Sequence, residues 1–167
     1  MKIALAQLNY HVGNFTSNTA AILREIEAAE KNGVDLLVFA ELAVCGYPPL
    51  DFLDYSHFID RCREHIDEIA KRCTSLTAIV GAPAVNPDPK GKNLFNSAYV
   101  LADGKIQTII HKTLLPTYDV FDEYRWFESN RVFECVEVKG VKIALTVCED
   151  LWNMDDDPLY TFWPMKE

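Results

Sequence analysis

Short apolar runs alternate with amphipathic stretches in the first half of the chain. Residues 2–8 and 34–39 are apolar and of strand length, and the segment between them repeats apolar positions at helical spacing. That helical face consists of Thr19, Ile22, Leu23, Ile26 and Ala29. Asn14 to Ser17 can cap the helix, and Asn32-Gly33 should end it because glycine tolerates the left-handed conformation. The pattern predicts a β-α-β unit, whose crossover normally joins parallel strands.

A second helix and a third strand follow a turn-rich loop. Residues 42–55 contain a Gly-Tyr-Pro-Pro sequence, which cannot form regular structure, so this segment is predicted to be a loop. Ser56 can cap a helix that runs to about Cys73, and residues 77–81 form a third short strand. The polar segment 86–93 is predicted to be a turn. The apolar face of the second helix consists of Phe58, Ile59, Cys62, Ile66, Ile69, Ala70 and Cys73.

The second half of the chain is richer in strands. Two predicted hairpins turn at Asp103-Gly104 and at Lys139-Gly140, where a glycine lies in a two-residue turn between strand-like runs. Residues 112–130 between them are irregular and rich in aromatic and acidic side chains, and a long loop of this kind is usually functional. Strands together with amphipathic helices predict an α/β fold with a mixed sheet.

The length and charge of the chain narrow the classes of function. Its 167 residues carry 16 Lys and Arg against 25 Asp and Glu, a net charge of −9, and 49% are hydrophobic. This length suits one domain, residues 1–167, with a sizeable core. The acidic balance argues against general binding to nucleic acids or anionic membranes, which both need a basic surface, but it leaves small-molecule sites open.

The cysteines indicate reduced thiols rather than a disulfide or zinc framework. There are five, at positions 45, 62, 73, 135 and 148, and none is spaced as Cys-x-x-Cys. We therefore expect a cytoplasmic protein without a metal site. The first apolar run is interrupted at Gln7, which argues against a secretory signal, and no later stretch is long enough to span a membrane.

Three chemically distinct side chains share one topological position. Glu41, Lys112 and Cys148 each come shortly after a predicted strand. The strands concerned are residues 34–39, 105–110 and 141–147. Ligands of α/β sheets bind at the carboxyl ends of the strands. If the three strands are neighbours, a carboxylate, an ammonium and a thiol converge there.

Such a trio suits attack on an amide or nitrile carbon. The nucleophile is the thiolate, and a nearby ammonium is expected to lower the pKa of the Cys148 thiol. The Glu41 carboxylate can take the thiol proton and later activate water. The Lys112 ammonium and the backbone N–H of Glu149 can stabilise the oxyanion.

Three sequence blocks around these residues resemble the signature blocks of the nitrilase, or carbon–nitrogen hydrolase, superfamily. They are Phe39-Ala40-Glu41-Leu42, His111-Lys112-Thr113-Leu114-Leu115-Pro116 and Val147-Cys148-Glu149-Asp150. Further blocks resemble one branch, the N-terminal glutaminase domains of glutamine-dependent NAD⁺ synthetases. These further blocks lie at residues 46–51, 118–127 and 148–152. The resemblance covers nearly the whole chain.

The resemblance implies a fold and a set of roles. The fold would be the nitrilase-like α-β-β-α sandwich with mixed sheets. Glu41 would be the general base, Lys112 would stabilise the tetrahedral intermediates, and Cys148 would form a γ-glutamyl thioester and release ammonia. Tyr47 and Tyr118 match family positions near the substrate, and Glu123 matches a position that supports the site. Glu149, beside the nucleophile, completes the predicted substrate-binding set.

The resemblance also implies partners. The substrate would be glutamine, and a separate ATP-dependent synthetase domain would use the ammonia to convert nicotinic acid adenine dinucleotide into NAD⁺. No cofactor is expected in this domain, since ATP and Mg²⁺ belong to the synthetase domain, which is expected to be absent from this chain. The family domain is longer than this chain, so its C-terminal part is expected to be missing, and the exposed sheet surface favours a homo-oligomer.

Two other interpretations stay open at this point. The chain can be a stand-alone amidase or nitrilase of the same superfamily with another substrate. Alternatively, it can be an inactive fragment with a structural or interaction role, which the short segment after Cys148 favours. The Tyr-Pro-Pro-Leu-Asp sequence at 47–51 and the Val-Phe-Asp-Glu sequence at 120–123 favour the glutaminase.

Overall fold

A computed structural model describes residues 1–153 and 160–166 as a layered α/β structure. It contains β1 (Ile3–Ala6), α1 (Phe15–Lys31), β2 (Leu36–Phe39), α2 (Ser56–Ala70), β3 (Thr77–Val85), β4 (Leu94–Ala102), β5 (Lys105–His111), β6 (Cys135–Val138) and β7 (Val141–Ala144). Short 3₁₀ turns lie at Leu50–Asp54, Glu123–Arg125, Cys148–Leu151 and Pro164–Lys166. None of the helices in this part of the chain is long and apolar enough to cross a bilayer.

The main sheet has five strands in the order β1-β2-β3-β4-β5. The first three strands run parallel, and β4 and β5 each pair antiparallel with the preceding strand. β5 therefore runs in the same direction as β2, and the carboxyl ends of both strands lie at one edge of the sheet. The predicted β-α-β unit and the predicted mixed sheet are confirmed.

Both α-helices pack on one face of the main sheet. α1 begins after Asn14, whose side chain accepts a hydrogen bond from the backbone N–H of Ser17 at 3.2 Å. It ends before Gly33, which has φ +63°, as the predicted cap and stop require. Ile22 and Ile26 are buried in the core between the helices and the sheet, so the helical period of the sequence identified the correct face.

The start of α2 differs from the prediction. The expected Ser56 cap is wrong, because Ser56 is the first helical residue and Tyr55 takes the cap position without a side-chain hydrogen bond. The chain enters α2 directly from the 3₁₀ turn Leu50–Asp54, within the predicted loop, and a carbonyl of that turn accepts from the Tyr55 N–H. The turn thus replaces a side-chain cap. α2 ends at Ala70, earlier than the predicted Cys73.

β3 is longer than the sequence predicts. The predicted strand stops at Gly81, but the observed strand continues to Val85 because Gly81 stays paired with Ala98 of β4. Glycine inside a strand often marks a close approach of another backbone segment. A Cβ atom at Gly81 would lie 2.6 Å from the carbonyl oxygen of Ala40, so glycine is required at this point.

The β6–β7 hairpin covers the other face of the main sheet. Its turn at Lys139-Gly140 and the β4–β5 turn at Asp103-Gly104 have positive φ at both residues, so the two predicted hairpins are confirmed. β7 ends at Ala144 rather than at residue 147. β7 ends where its partner strand begins, since Ala144 pairs with Cys135, and Leu145 and Val147 beyond it pack against the main sheet.

Candidate active site

Glu41 and Lys112 lie at the same edge of the main sheet. Glu41 is two residues beyond β2, and Lys112 directly follows β5. Their strands are not neighbours, because β3 and β4 lie between β2 and β5. Shared strand direction, rather than adjacency, brings the side chains together, and the Lys112 ammonium lies 2.7 Å from Glu41 Oε1.

Lys112 is completely buried among acidic side chains. Its Nζ donates to Glu41 Oε1 at 2.7 Å and to Glu123 Oε2 and Oε1 at 2.8 and 2.9 Å. Burial alone would lower the lysine pKa, but the two facing carboxylates outweigh burial, and the Lys112 pKa is raised. The ammonium therefore stays charged at neutral pH, and its N–H groups are directed at carboxylates.

Asn96 closes this cluster into a ring of hydrogen bonds. Asn96 lies near the start of β4 and is fully buried, and its Nδ2 donates to Glu41 Oε1 at 2.7 Å and to Glu123 Oε2 at 3.2 Å. The same two oxygens accept from Lys112, so donors and carboxylates alternate around the ring. We call Glu41, Asn96, Lys112 and Glu123 the carboxylate ring. Tyr47 donates to Glu123 Oε1 at 2.9 Å from outside it.

Glu123 reaches the ring from the irregular segment between the two hairpins. It begins the 3₁₀ turn Glu123–Arg125, its N–H donates to the Pro116 carbonyl at 3.1 Å, and only 4% of the residue is exposed. Burial and then the nearby Glu41 carboxylate raise the pKa of Glu123, while Lys112 opposes that shift. Because both of its oxygens already accept hydrogen bonds, Glu123 holds the lysine in place.

Cys148 stands on a strained turn after the second hairpin. It lies four residues beyond β7, which belongs to the separate two-stranded sheet rather than lying beside β2 or β5. Its φ is +46°, a left-handed conformation that costs an L-residue about 1 kcal/mol or more. Cys148 and Glu41 line one cavity of about 230 Å³. Other residues lining this cavity are Gly81, Ser97 and Thr146.

Asp150 ties the Cys148 turn to the segment that follows Lys112. Its Oδ1 accepts from the backbone N–H groups of residues 113–114 at 3.0 and 2.7 Å, and its Oδ2 accepts from the Val147 N–H at 3.1 Å. Burial raises the pKa of Asp150, and these three donors oppose the shift. One buried carboxylate therefore fixes the backbone on both sides of the site.

The electrostatics of the thiol differ from the prediction. Loss of water around the sulfur, followed by the Glu41 carboxylate, raises the pKa of Cys148 to about 11. Lys112 opposes this shift, but its charge is shared between two carboxylates, and Glu123 and Glu149 add further repulsion. The expected lowering of the thiol pKa is therefore wrong. The resting thiol is protonated at neutral pH and needs a base.

A second group of polar side chains is centred on Glu149, the residue after the thiol. The Tyr118 hydroxyl donates to Glu149 Oε1 and Oε2 at 2.7 and 2.9 Å, and the Tyr160 hydroxyl donates to Oε1 at 2.9 Å. The hydrogen bond to Glu149 and then the loss of water raise the pKa of Tyr118 to about 12. Tyr118 is 39% exposed, whereas the Glu149 residue that it binds is only 4% exposed.

The structure places the seven predicted site residues in two adjoining clusters. Glu41, Tyr47, Lys112 and Glu123 form one hydrogen-bonded cluster with Asn96. Tyr118 and Glu149 form the other, next to Cys148 on the same turn. Within residues 1–153 and 160–166, no group of three or more His, Cys, Asp or Glu side chains is placed to hold a metal ion.

Three residues of the site escaped the sequence analysis. Asn96 is an isolated amide in a strand of apolar residues, which is a detectable signal of a buried polar contact. Asp150 lies inside the third signature block without an assigned role. Gly81 was interpreted only as the end of a strand, although a glycine between strand residues also indicates a close backbone approach.

An α/β fold that places a carboxylate and a thiol in the wall of one cavity, with a buried ammonium bound to that carboxylate, defines a site suited to thiol-dependent attack on carbon–nitrogen bonds. The family model for carbon-nitrogen hydrolases matches residues 2–155 of this sequence. The chain belongs to the carbon–nitrogen hydrolase family.

Relatives of known sequence are glutamine-dependent NAD⁺ synthetases. The chain is 42% identical over 168 residues to the protein of Synechocystis sp., covering 98% of this chain and 29% of that protein. It is 35% identical over 153 residues to the protein of Thermotoga maritima, covering 92% of this chain and 26% of that protein. The chain therefore spans less than a third of the length of these curated relatives.

Solved structures confirm the nitrilase-like α/β fold. A glutamine-dependent NAD⁺ synthetase from Acinetobacter baumannii, in complex with adenosine diphosphate, matches with a TM-score of 0.83 and 33% identity over 90% of this chain and 28% of that chain. An amidase from Nesterenkonia sp. matches with a TM-score of 0.75 and 22% identity over 90% of this chain and 56% of that chain. At this lower identity, the likeness to the amidase concerns the fold alone.

Proposed function

We propose that this chain hydrolyses the side-chain amide of glutamine through a thioester on Cys148, as the glutaminase part of a glutamine-dependent NAD⁺ synthetase. One observation carries the proposal: Glu41 lines the same cavity as the Cys148 thiol and is held there by the buried Lys112. The similarity to glutamine-dependent NAD⁺ synthetases supports glutamine as the source of the amide.

The first half-reaction transfers an acyl group to sulfur. Glu41 takes the proton of the Cys148 thiol as the sulfur attacks the γ-amide carbon, and the carbonyl electrons move to oxygen. The tetrahedral intermediate collapses when Glu41 passes that proton to the amide nitrogen, so the C–N bond breaks and ammonia leaves. A γ-glutamyl thioester remains on the sulfur. A thiol pKa of about 11 makes the proton transfer to Glu41 necessary.

The second half-reaction releases the acyl group. Glu41 takes a proton from a water molecule while the water oxygen attacks the thioester carbon. The C–S bond then breaks, and the sulfur recovers the proton from Glu41. The sum is glutamine plus water giving glutamate plus ammonia, with the protein unchanged.

Charge on the tetrahedral intermediates is stabilised from two sides. Because the Lys112 N–H groups are directed at Glu41 and Glu123, the lysine acts on the oxyanion through its charge rather than through a spare hydrogen bond. We assign the backbone N–H of Glu149, on the turn that begins with Cys148, as the direct donor to the oxyanion.

The four predicted substrate-binding residues divide into two pairs. Tyr47 and Glu123 are hydrogen-bonded to each other at 2.9 Å, so we assign this pair to supporting Lys112. Tyr118 is partly exposed and donates to Glu149, the residue after the thiol, so we assign this pair to the substrate. The Glu149 carboxylate can pair with the ammonium group of glutamine.

For the whole protein, we propose that the ammonia passes to an ATP-dependent synthetase domain that amidates nicotinic acid adenine dinucleotide. ATP and Mg²⁺ would act in that domain, and residues 1–167 would be part of one hydrolase domain in a cytoplasmic protein. Exposed apolar side chains on the outer strand β1, Leu5 at 71% and Ile3 at 52%, support a homo-oligomer. A monodisperse monomer in sedimentation velocity would contradict the oligomer.

Covalent labelling tests the proposed nucleophile. The diazoketone analogue of glutamine, 6-diazo-5-oxo-norleucine, should alkylate Cys148 and increase the intact mass by one adduct after loss of dinitrogen. Cys148→Ser should remove the adduct. Cys135→Ser is the matched control and should retain it, since Cys135 is also an exposed free thiol. A folded protein that forms no adduct, or an adduct that survives Cys148→Ser, would contradict the proposed site.

Ammonia release tests the proposed substrate. Glutamine should release ammonia faster than asparagine or propionamide, and Cys148→Ser should abolish the release. A preference for the small aliphatic amide would instead support a stand-alone amidase. Release that is equal in wild type and Cys148→Ser would exclude both interpretations.

A further inference from the structure

Asn96 is a buried polar side chain to which the proposed reaction assigns no role. It lies on β4 opposite Pro83 of β3 and has no exposed surface. Its Nδ2 is bound to two carboxylates, whereas its Oδ1 has no hydrogen-bond partner among the described residues. A buried carbonyl oxygen without a partner is unfavourable, so the placement of this amide requires an explanation.

The two carboxylates determine which way the Asn96 amide points. Rotating the amide by half a turn would place Oδ1 against Glu41 Oε1 and Glu123 Oε2, which accept hydrogen bonds and cannot donate them when ionised. The observed orientation instead gives one N–H to each carboxylate, at 2.7 and 3.2 Å. The protein thus tolerates an unpaired carbonyl in order to keep both N–H groups on the acidic side chains.

The orientation of the Asn96 amide restricts the Glu41 carboxylate. Asn96 and Lys112 both donate to the same oxygen of Glu41, Oε1, each at 2.7 Å. No hydrogen bond from the described residues reaches the other oxygen, Oε2. The carboxylate cannot exchange its two oxygens without breaking both bonds. The Glu41 side chain is 17% exposed, in the wall of the cavity that it shares with Cys148.

We propose that Asn96 is a positioning residue that holds Oε1 of Glu41 in the carboxylate ring and so leaves Oε2 as the acceptor of the Cys148 thiol proton. Lys112 donates to the same oxygen, but it divides its N–H groups between Glu41 and Glu123. The planar amide adds a second, directional donor between the two carboxylates. This role rests on Glu41 acting as base in the proposed function, and it does not depend on glutamine being the substrate.

The pH dependence of Cys148 alkylation by iodoacetamide distinguishes the contribution of the base from that of the free thiolate. The reaction forms an S–C bond, expels iodide and loses the thiol proton, and peptide mass mapping reports the rate at this residue. At low pH, the alkylation rate should form a plateau that reflects proton transfer to Glu41. At high pH, the rate should rise as the free thiolate forms, since the Cys148 pKa is about 11. The profile should run from about pH 5 to about pH 12 to include both parts.

Asn96→Leu has a similar volume and no N–H donors. We expect it to lower the low-pH plateau about tenfold or more, because a misplaced base transfers the proton less efficiently. The rise at high pH should be unchanged, since a free thiolate needs no base. In a Glu41→Gln background, Asn96→Leu should have no further effect on the plateau.

The matched control is Thr19→Val on α1. Thr19 is also buried, and its hydroxyl is hydrogen-bonded to His65 of α2 at 3.0 Å rather than to any residue of the carboxylate ring. Its loss should reduce stability without changing the plateau. If Asn96→Leu fails to fold, Asn96→Val, which suits a strand, carries the same test.

Three results would overturn the proposal. They are an unchanged plateau in the Asn96 variant, an equal loss in both parts of the profile, and a loss that persists in the Glu41→Gln background. The ammonia-release assay tests the proposed substrate and does not depend on the alkylation profile. A wild type that shows an Asn96-dependent plateau but releases no ammonia from glutamine would contradict the proposed substrate and support the positioning role.

Discussion

The carboxylate ring and the Cys148 turn are two halves of one site, and they are built in opposite ways. In the ring, Lys112 and Asn96 are fully buried and direct their N–H groups at two carboxylates. On the turn, Cys148 is exposed and held in a left-handed conformation, and Glu149 is bound by tyrosines. The base is thus fixed by side-chain hydrogen bonds, and the nucleophile by its backbone.

This difference follows from what each half must do. A nucleophile has to meet the substrate, so it cannot be enclosed, and a strained turn orients it without covering it. A base works best when its orientation is set before the substrate arrives. The two halves should therefore respond differently to substitution, and the following variants test that contrast in order of decreasing effect.

Removal of the cation from the ring should have the largest effect. Lys112→Met leaves Glu41 and Glu123 facing each other in the interior, so we expect the free energy of unfolding to fall by roughly 3 to 5 kcal/mol. Urea denaturation at neutral pH measures this loss. The matched control is Lys31→Met, since the Lys31–Glu27 pair has a similar distance of 2.6 Å but both side chains are more than half exposed. For Lys31→Met, the fall in the free energy of unfolding should stay below about 1 kcal/mol. An equal fall in both variants would contradict the claim that the buried ring depends on its cation.

A methyl group at Gly81 should disturb the backbone that carries Glu41. Gly81→Ala would push against Ala40 and the following residues, and overpacking of this kind costs about 1 to 3 kcal/mol. The low-pH plateau of Cys148 alkylation should fall as well. Gly104→Ala meets nothing within 4 Å and should cost only about 1 kcal/mol for its φ of +73°. A loss of plateau in the Gly104 variant would show that the effect is not local.

Substitution of Asp150 should affect both the carboxylate ring and the Cys148 turn, because its carboxylate binds the backbone of the segments that carry them. Asp150→Asn places an amide N–H₂ near a backbone N–H and removes one acceptor, so we expect a loss of about 1 to 3 kcal/mol in unfolding free energy. Both parts of the alkylation profile should change. Asp103→Asn in the exposed β4–β5 turn is the control and should stay within about 0.5 kcal/mol of wild type. An Asp150 variant with wild-type stability would show that these hydrogen bonds do not support the site.

The smallest effect should be a shift of the thiolate part of the profile. The Glu41 charge raises the Cys148 pKa, which stands at about 11, so Glu41→Gln should move the high-pH rise to lower pH while lowering the low-pH plateau to a residual rate that needs no base. Opposite changes in the two parts distinguish loss of the base from loss of the fold. Glu137→Gln, at an exposed position of β6, should leave both parts unchanged. A shift to higher pH in the Glu41 variant would contradict the electrostatic account of the thiol.

Local sequence signals predicted the parts of this fold that depend on neighbouring residues. The cap at Asn14, the helix stop at Gly33 and the two hairpin turns follow from backbone preferences of single residues, and all are confirmed. The prediction failed at Ser56, because a preceding 3₁₀ turn took over the role of the cap. It also failed at Gly81, where contact with a distant segment, not local preference, explains the glycine.

The sequence by itself determined which chemical groups are available and which run of residues carries each of them, because apolar periodicity and strand ends are local properties. It also identified the blocks around Glu41, Lys112 and Cys148. Only the tertiary structure decided that two strands separate Glu41 from Lys112 and that Asn96 lies between the two carboxylates. It also reversed the expected shift of the thiol pKa. Burial and charge act through space, and their balance at one sulfur atom depends on every carboxylate that the fold brings near it.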